Sequence, residues 1–175
     1  MATTARDALL AEFDHEIATT NKLLERLPGR GPGDSDAAAA LAWRPHAKSM
    51  TLGGLATHIA NISTWSGAIL NEGFFDLSGA PPPLEPLASR REILTLFAES
   101  SAAARKAMDK SDAEYAAMWT LKRAGQEVFS MPRVAVFRSF VLSHLIHHRG
   151  QLSVYLRLNG IAVPAIYGPS ADEGQ

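Results

Sequence analysis

The sequence predicts an all-α fold: a four-helix bundle with a long crossover between its second and third helices. Three observations predict it. Four stretches carry apolar residues at spacings of three and four, the period of a helix with one buried face. Strand-like alternation is scarce. A proline-rich segment, 76–88, separates the second and third stretches and is long enough to cross the bundle.

The first helix is expected from Thr4 to Leu27, with Leu10, Phe13, Ile17, Leu24 and Leu27 on its core stripe. Pro28 and the following Gly29-Arg-Gly-Pro-Gly33 stop it. Asp36 is placed to cap a short helix through Ala37–Leu41, and Trp43-Arg44-Pro45 reads as an ordered loop. The second helix runs from Thr51 to Asn71 with Leu55, His58, Ile62, Trp65 and Ile69 on one stripe, and Gly73 ends it. Segment 76–88 holds Pro81-Pro82-Pro83 and Pro86 and reads as loop. Ser89 and Glu92 form a capping-box pair for the third helix, which continues to Asp109 along Ile93, Leu96, Phe97, Ala104 and Met108. Within 112–131, Met118–Lys122 and Glu127–Phe129 flank Ala124-Gly125, the pattern of a short hairpin. The last helix begins near Pro132 and stops at Asn159-Gly160. Val134, Val136, Phe137, Phe140, Val141, Leu142, Leu145 and Ile146 make it apolar on more than one face, as in a helix that is central or covered by a partner subunit. The tail, Ile161–Gln175, holds two prolines and reads as extended.

No repeat, heptad run or second-domain signal interrupts the 175 residues, so a single domain over 1–175 is expected. Such a chain buries roughly two-thirds of its unfolded surface. At 46% hydrophobic and 20% charged residues it is a folded protein, not a disordered one. A formal net charge of −1 argues against a general nucleic-acid or membrane-surface binder, which carries a basic excess. Cysteine is absent, which removes disulfides, thiolate metal sites and a cysteine nucleophile and fits a reducing compartment. The amino-terminal residues are polar, without the apolar core of a signal peptide, and no run approaches the ~20 apolar residues of a membrane span. A soluble, cytoplasmic protein without nucleic-acid or membrane partners is the expectation.

The six histidines carry the functional signal. His144 and His148 lie four residues apart, hence about 40° apart around a helix, and one ion can bridge such a pair. Both sit in a strongly apolar helix, where unpaired imidazoles are costly to bury. His58 lies on the core stripe of the second helix and is the natural third ligand. His147 competes with it, about 60° from His144 and 100° from His148, and is read as a supporting or surface residue. His15 is expected to face solvent, and His46 belongs to the Trp43–Met50 loop.

Two known metalloenzyme patterns are missing. A zincin places glutamate directly after the first histidine, and Leu145 stands there. A ferritin-like di-iron site needs two Glu-x-x-His motifs, and the chain offers one, Glu12-Phe-Asp-His15, with its histidine outward.

The segment His144-Leu-Ile-His-His-Arg-Gly-Gln151, with Tyr155-Leu-Arg157, Gly160, Pro164 and Tyr167-Gly-Pro-Ser170, resembles the C-terminal signature of the DinB/YfiT-like superfamily. Trp43-Arg-Pro45, Ser49-Met-Thr-Leu-Gly53, His58 and Trp65 match its earlier pattern, so the resemblance covers nearly the whole chain. It implies a bundle of unusual connectivity and a three-histidine metal site carried by His58, His144 and His148. It also implies a homodimer, and relatives that are metal-dependent thiol S-transferases or isomerases using low-molecular-weight thiols. The superfamily's fold transfers to a member better than any one member's activity.

Three imidazoles leave an open coordination position on one divalent transition metal per chain: zinc, nickel or iron. With no cysteine, a thiol must arrive as substrate, so metal-assisted thiol transfer to a small electrophile is the leading expectation. Hydrolysis by bound hydroxide, with Asp14 or His147 as base, and metal binding without turnover are the alternatives. No catalytic side chain is assigned. Asn21 and Gln151 are candidates to support the ligands. Trp43, Trp65, Trp119 and Tyr155 read as packing residues, with Trp65 placed to wall the site. Arg149 and Arg157 are expected in ion pairs or dimer contacts, and Lys122-Arg123 in a solvated turn.

Overall fold

The computed structural model describes residues 4–29 and 35–174. Helix α1 spans Ala5–Leu24, started by Thr4, whose hydroxyl accepts from the Asp7 amide. It ends a turn earlier than its apolar pattern, and Leu27 is buried from the turn beyond. Helix α2 spans Ser35–Ala42; it already includes Asp36, the expected cap, whose side chain lies outside the described residues, as does most of the Gly29–Gly33 break.

The expected second helix is two helices. α3 spans Leu52–Ile62 and α4 spans Trp65–Asn71, with Ser63 and Thr64 between them. The Thr64 hydroxyl bonds to the Asn61 carbonyl, and this local side-chain bond competes with the helical ladder at the break. α5 spans Arg90–Ala107, where Ser89 Oγ accepts from the Glu92 amide and the Glu92 carboxylate returns to Ser89 Oγ and the Ala88 amide. α6, Asp112–Ala116, carries a full capping box between Ser111 and Glu114.

A small sheet forms whose first strand takes in Asp76, the first residue of the segment read as loop. β1, Phe74–Asp76, pairs parallel with β2, Met118–Arg123, which pairs antiparallel with β3, Gln126–Pro132. The β2–β3 turn falls on Ala124-Gly125, both at positive φ (50° and 76°), as a type I′ hairpin turn requires. Alanine is a poor residue for that backbone. Asp76 compensates, since its carboxylate accepts from the Ala124 amide at 3.1 Å and the Gly125 amide at 2.7 Å. Lys122, expected in a turn, belongs to β2 and lies 4.3 Å from the Phe74 ring centre.

The last long helix has three parts. α7 spans Arg133–Phe137, a π-helical turn spans Arg138–Leu142, and α8 spans Ser143–Leu158. Gly160, at φ +68°, supplies the left-handed residue that ends it. Part of its second apolar face is covered within the chain: the Phe129 ring of β3 stacks on Phe140 with centroids 5.5 Å apart. Trp119 of β2, 4% exposed, donates its indole N–H to the Ala68 carbonyl of α4 and fastens the sheet to the bundle.

The four principal helices form the bundle, with α1 and α3 each packed against both α5 and α8. Leu23, Leu24, Leu52, Leu55, Ile59, Phe97, Leu145 and Leu152 fill the space among them. No helix among the described residues is long and apolar enough to cross a membrane.

Candidate metal centre

Helical periodicity sets His144 and His148 side by side on α8, and the packing of α3 against α8 brings His58 to them. His58 stands in α3 between buried Thr57 and Ile59 and is itself half-buried. On α8 the buried stripe is Leu145, Arg149, Leu152 and Leu156. His144 and His148 each precede a member of that stripe, so both lie about 100° to its side and turn toward α3 at the bundle's shoulder.

His58 Nε2 and His144 Nε2 are 3.2 Å apart. Two nitrogens bound to one tetrahedral zinc at ~2.0–2.1 Å stand about 3.3 Å from each other. One ligand atom from each of His58, His144 and His148 lies within 4.8 Å of the other two. The ring centroids are 4.5 Å (His58–His148), 4.7 Å (His144–His148) and 5.0 Å (His58–His144) apart.

All three rings titrate below the ordinary histidine range. His58 is pushed down to about 4, chiefly by burial and then by the positive charge His148 and His144 would carry. Burial also lowers His144, against a hydrogen bond to the Phe140 backbone that raises it. His148 is lowered by burial, against a bond to Gln151. The cluster is therefore neutral at pH 7, the state in which imidazole offers a lone pair to a metal. Neutral nitrogens, converging geometry and the lack of sulfur or carboxylate ligands fit a borderline divalent ion such as zinc, nickel or iron.

The flanks of the site are mixed. Trp65, 44% exposed, meets the His144 ring edge-on at 6.4 Å and walls one side, as expected. A shallow groove of about 330 Å³, lined by Ser139, Phe140, Ser143, His144 and His147, borders the site at His144. His147 is exposed and contacts the His148 ring at 4.8 Å, a neighbour of the cluster. Gln151 supports a ligand directly, with Oε1 2.7 Å from His148 Nδ1.

Several candidates fall elsewhere. Asn21 does not support the ligands; its amide bonds to Glu25 one turn along α1. Asp14 is paired with Arg105 at 2.7 Å. His15 is exposed against Tyr167, and the His46 ring accepts from the Lys48 amide. Tyr155 packs edge-on against Trp43. Arg157 pairs with Asp172, whereas Arg149 makes a fully buried ion pair with Glu16. Tyr167 caps that pair from the tail, donating to Glu16 and accepting from Arg149. Glu16 had no sequence signal, because a carboxylate one residue off an apolar stripe reads as surface. The π-helical turn before His144 likewise has no residue code.

The class is thus a helical bundle with a three-histidine cluster shared between two of its helices. The chain belongs to the DinB family, whose model matches residues 1–175. A DinB-like protein of Bacillus cereus ATCC 10987, known from its crystal structure, superposes with a TM-score of 0.67 over 95% of this chain and 100% of that one; at 23% identity this likeness concerns the fold. The uncharacterized protein YrdA of Bacillus subtilis (strain 168) is 50% identical over 34 residues, which spans 19% of this chain and 20% of that protein.

Proposed function

We propose that the protein binds one divalent transition metal per chain through His58, His144 and His148, and uses it to transfer a low-molecular-weight thiol to a small electrophile. The observation that carries the reading is the convergence of the three imidazoles, with two Nε2 atoms 3.2 Å apart. When bound, such an ion lowers the pKa of a coordinated water or thiol toward neutrality.

The chain's own residues supply the rest. Three neutral ligands leave the ion's full charge for whatever occupies its open side. The chain has no cysteine, so the sulfur must come with the substrate. The groove beside His144 is a seat of small-molecule size, with the Ser139 and Ser143 hydroxyls and the Phe140 ring at its wall. Transfer is favoured over hydrolysis because three α1 carboxylates are committed to ion pairs: Glu12 to Arg138, Asp14 to Arg105 and Glu16 to Arg149. Hydrolysis keeps one supporting observation, that exposed His147 lies beside His148 and lines the groove, where it can relay a proton.

Elemental analysis of untagged protein tests the metal, with close to one ion per chain expected. Calorimetric titration of the holoprotein with bacterial thiols separates the chemistries. Metal-dependent thiol binding supports transfer, and its absence leaves hydrolysis or metal binding without turnover. The proposal includes a homodimer in the cytoplasm, for which light scattering and cell fractionation are the tests.

A further inference from the structure

The three imidazoles are not held alike. His144 directs Nε2 at His58, which leaves Nδ1 for its bond to the Phe140 backbone. His148 spends Nδ1 on Gln151 Oε1, 2.7 Å away, which leaves Nε2 for the cluster. Among the described residues, His58 has no hydrogen-bond partner beyond His144. Two ligands on α8 are thus preset by acceptors behind them, one a backbone carbonyl and one a side chain.

We propose that Gln151 is the positioning residue of the metal centre, an inference that rests on the metal-binding reading above. A neutral histidine left to itself prefers its proton on Nε2, the nitrogen the cluster needs bare. An acceptor behind Nδ1 reverses that preference and fixes the ring plane. Gln151 stands three residues beyond His148 on the same helix, the spacing at which side chains meet. Its amide oxygen accepts the Nδ1 proton without adding charge, so His148 remains a neutral ligand. Gln151 is exposed and, among the described residues, its side chain bonds to His148, so no core packing depends on that side chain. The counterpart at His144 is main chain and cannot be removed by substitution, which makes Gln151 the one genetic handle on this arrangement.

The full-length protein is tested as wild type, Gln151→Ala and Gln151→Glu, each first checked for native circular dichroism. Zinc affinity is read by competition with a chromophoric chelator. The His148 tautomer is read from imidazole nitrogen shifts of the zinc-free protein. Wild type should hold its proton on Nδ1. Gln151→Ala should move it to Nε2 and weaken zinc binding by about 10- to 100-fold. Gln151→Glu, which keeps the acceptor, should restore affinity to at least the wild-type level. Unchanged zinc affinity or an unchanged tautomer in Gln151→Ala would overturn the role of Gln151 while leaving the metal site intact. A wild-type protein that takes up no zinc, nickel or iron overturns the underlying reading instead, and the two failures are told apart by the wild-type titration alone.

Discussion

The Arg149 guanidinium lies 2.5 Å from the Glu16 carboxylate, with only 2% and 6% of the two side chains exposed. It follows His148 directly on α8, and it ties that helix to α1 at the level of the metal cluster. Thr20 and the Glu16 carbonyl accept from the same guanidinium, and Tyr167 closes the network from the tail.

Removing one partner strands the other charge in the core. Arg149→Met should therefore destabilise the protein by about 3–5 kcal/mol, and Glu16→Leu by a similar amount. The double variant should cost clearly less than the sum, since no unpaired charge remains. Urea unfolding of the four proteins of the cycle measures the coupling; additive losses would mean that the pair is not one unit.

Loss of a ligand should be read out in metal content and in stability together. His144→Ala and His148→Ala should abolish stoichiometric uptake, and His58→Ala should weaken it. In the wild type, metal at 100 times its dissociation constant should raise stability by about 2.7 kcal/mol, a gain missing from His144→Ala and His148→Ala and reduced in His58→Ala. Full occupancy in His144→Ala would remove that residue from the site.

Acid should begin to weaken the metal-free protein below pH 6.5. His58 has a folded-state value of about 4 against 6.5 in the unfolded chain, and His144 and His148 are lowered in the same direction. Between those limits the unfolded chain takes up protons that the folded chain refuses. Stability is thus full above pH 6.5, declines as pH falls toward 4, and loses nothing further from this source below it. Unfolding midpoints of chelated protein at pH 7.5, 5.5 and 4.5 should show the slope, and His58→Leu should flatten it.

Ser66 offers a gain. Its hydroxyl is completely buried in α4 and, among the described residues, has no hydrogen-bond partner. Ser66→Ala removes an unsatisfied group and adds helix propensity, so it should stabilise by about 1 kcal/mol. A shift of the thermal midpoint downward would reveal a partner for that hydroxyl.

Much of this molecule was legible in the order of its residues. Spacings of three and four gave the four principal helices. Ser89, Pro132 and Gly160 marked boundaries, and the four-residue step from His144 to His148 set a ligand pair on one side of a helix. Those features depend on local backbone geometry, which neighbouring residues dictate. Contacts between distant segments decided the rest. Asp76, at the edge of an apparent loop, belongs to β1 and stabilises an Ala-Gly turn 48 residues away. The hairpin covers part of the extra apolar face of the last helix through Phe129 on Phe140. Thr64 breaks a stripe that reads as continuous. Above all, the approach of α3 to α8 turned one isolated core histidine and one helical pair into a cluster, because the distance between His58 and His144 is fixed by packing across 86 residues of chain and by nothing in either segment alone.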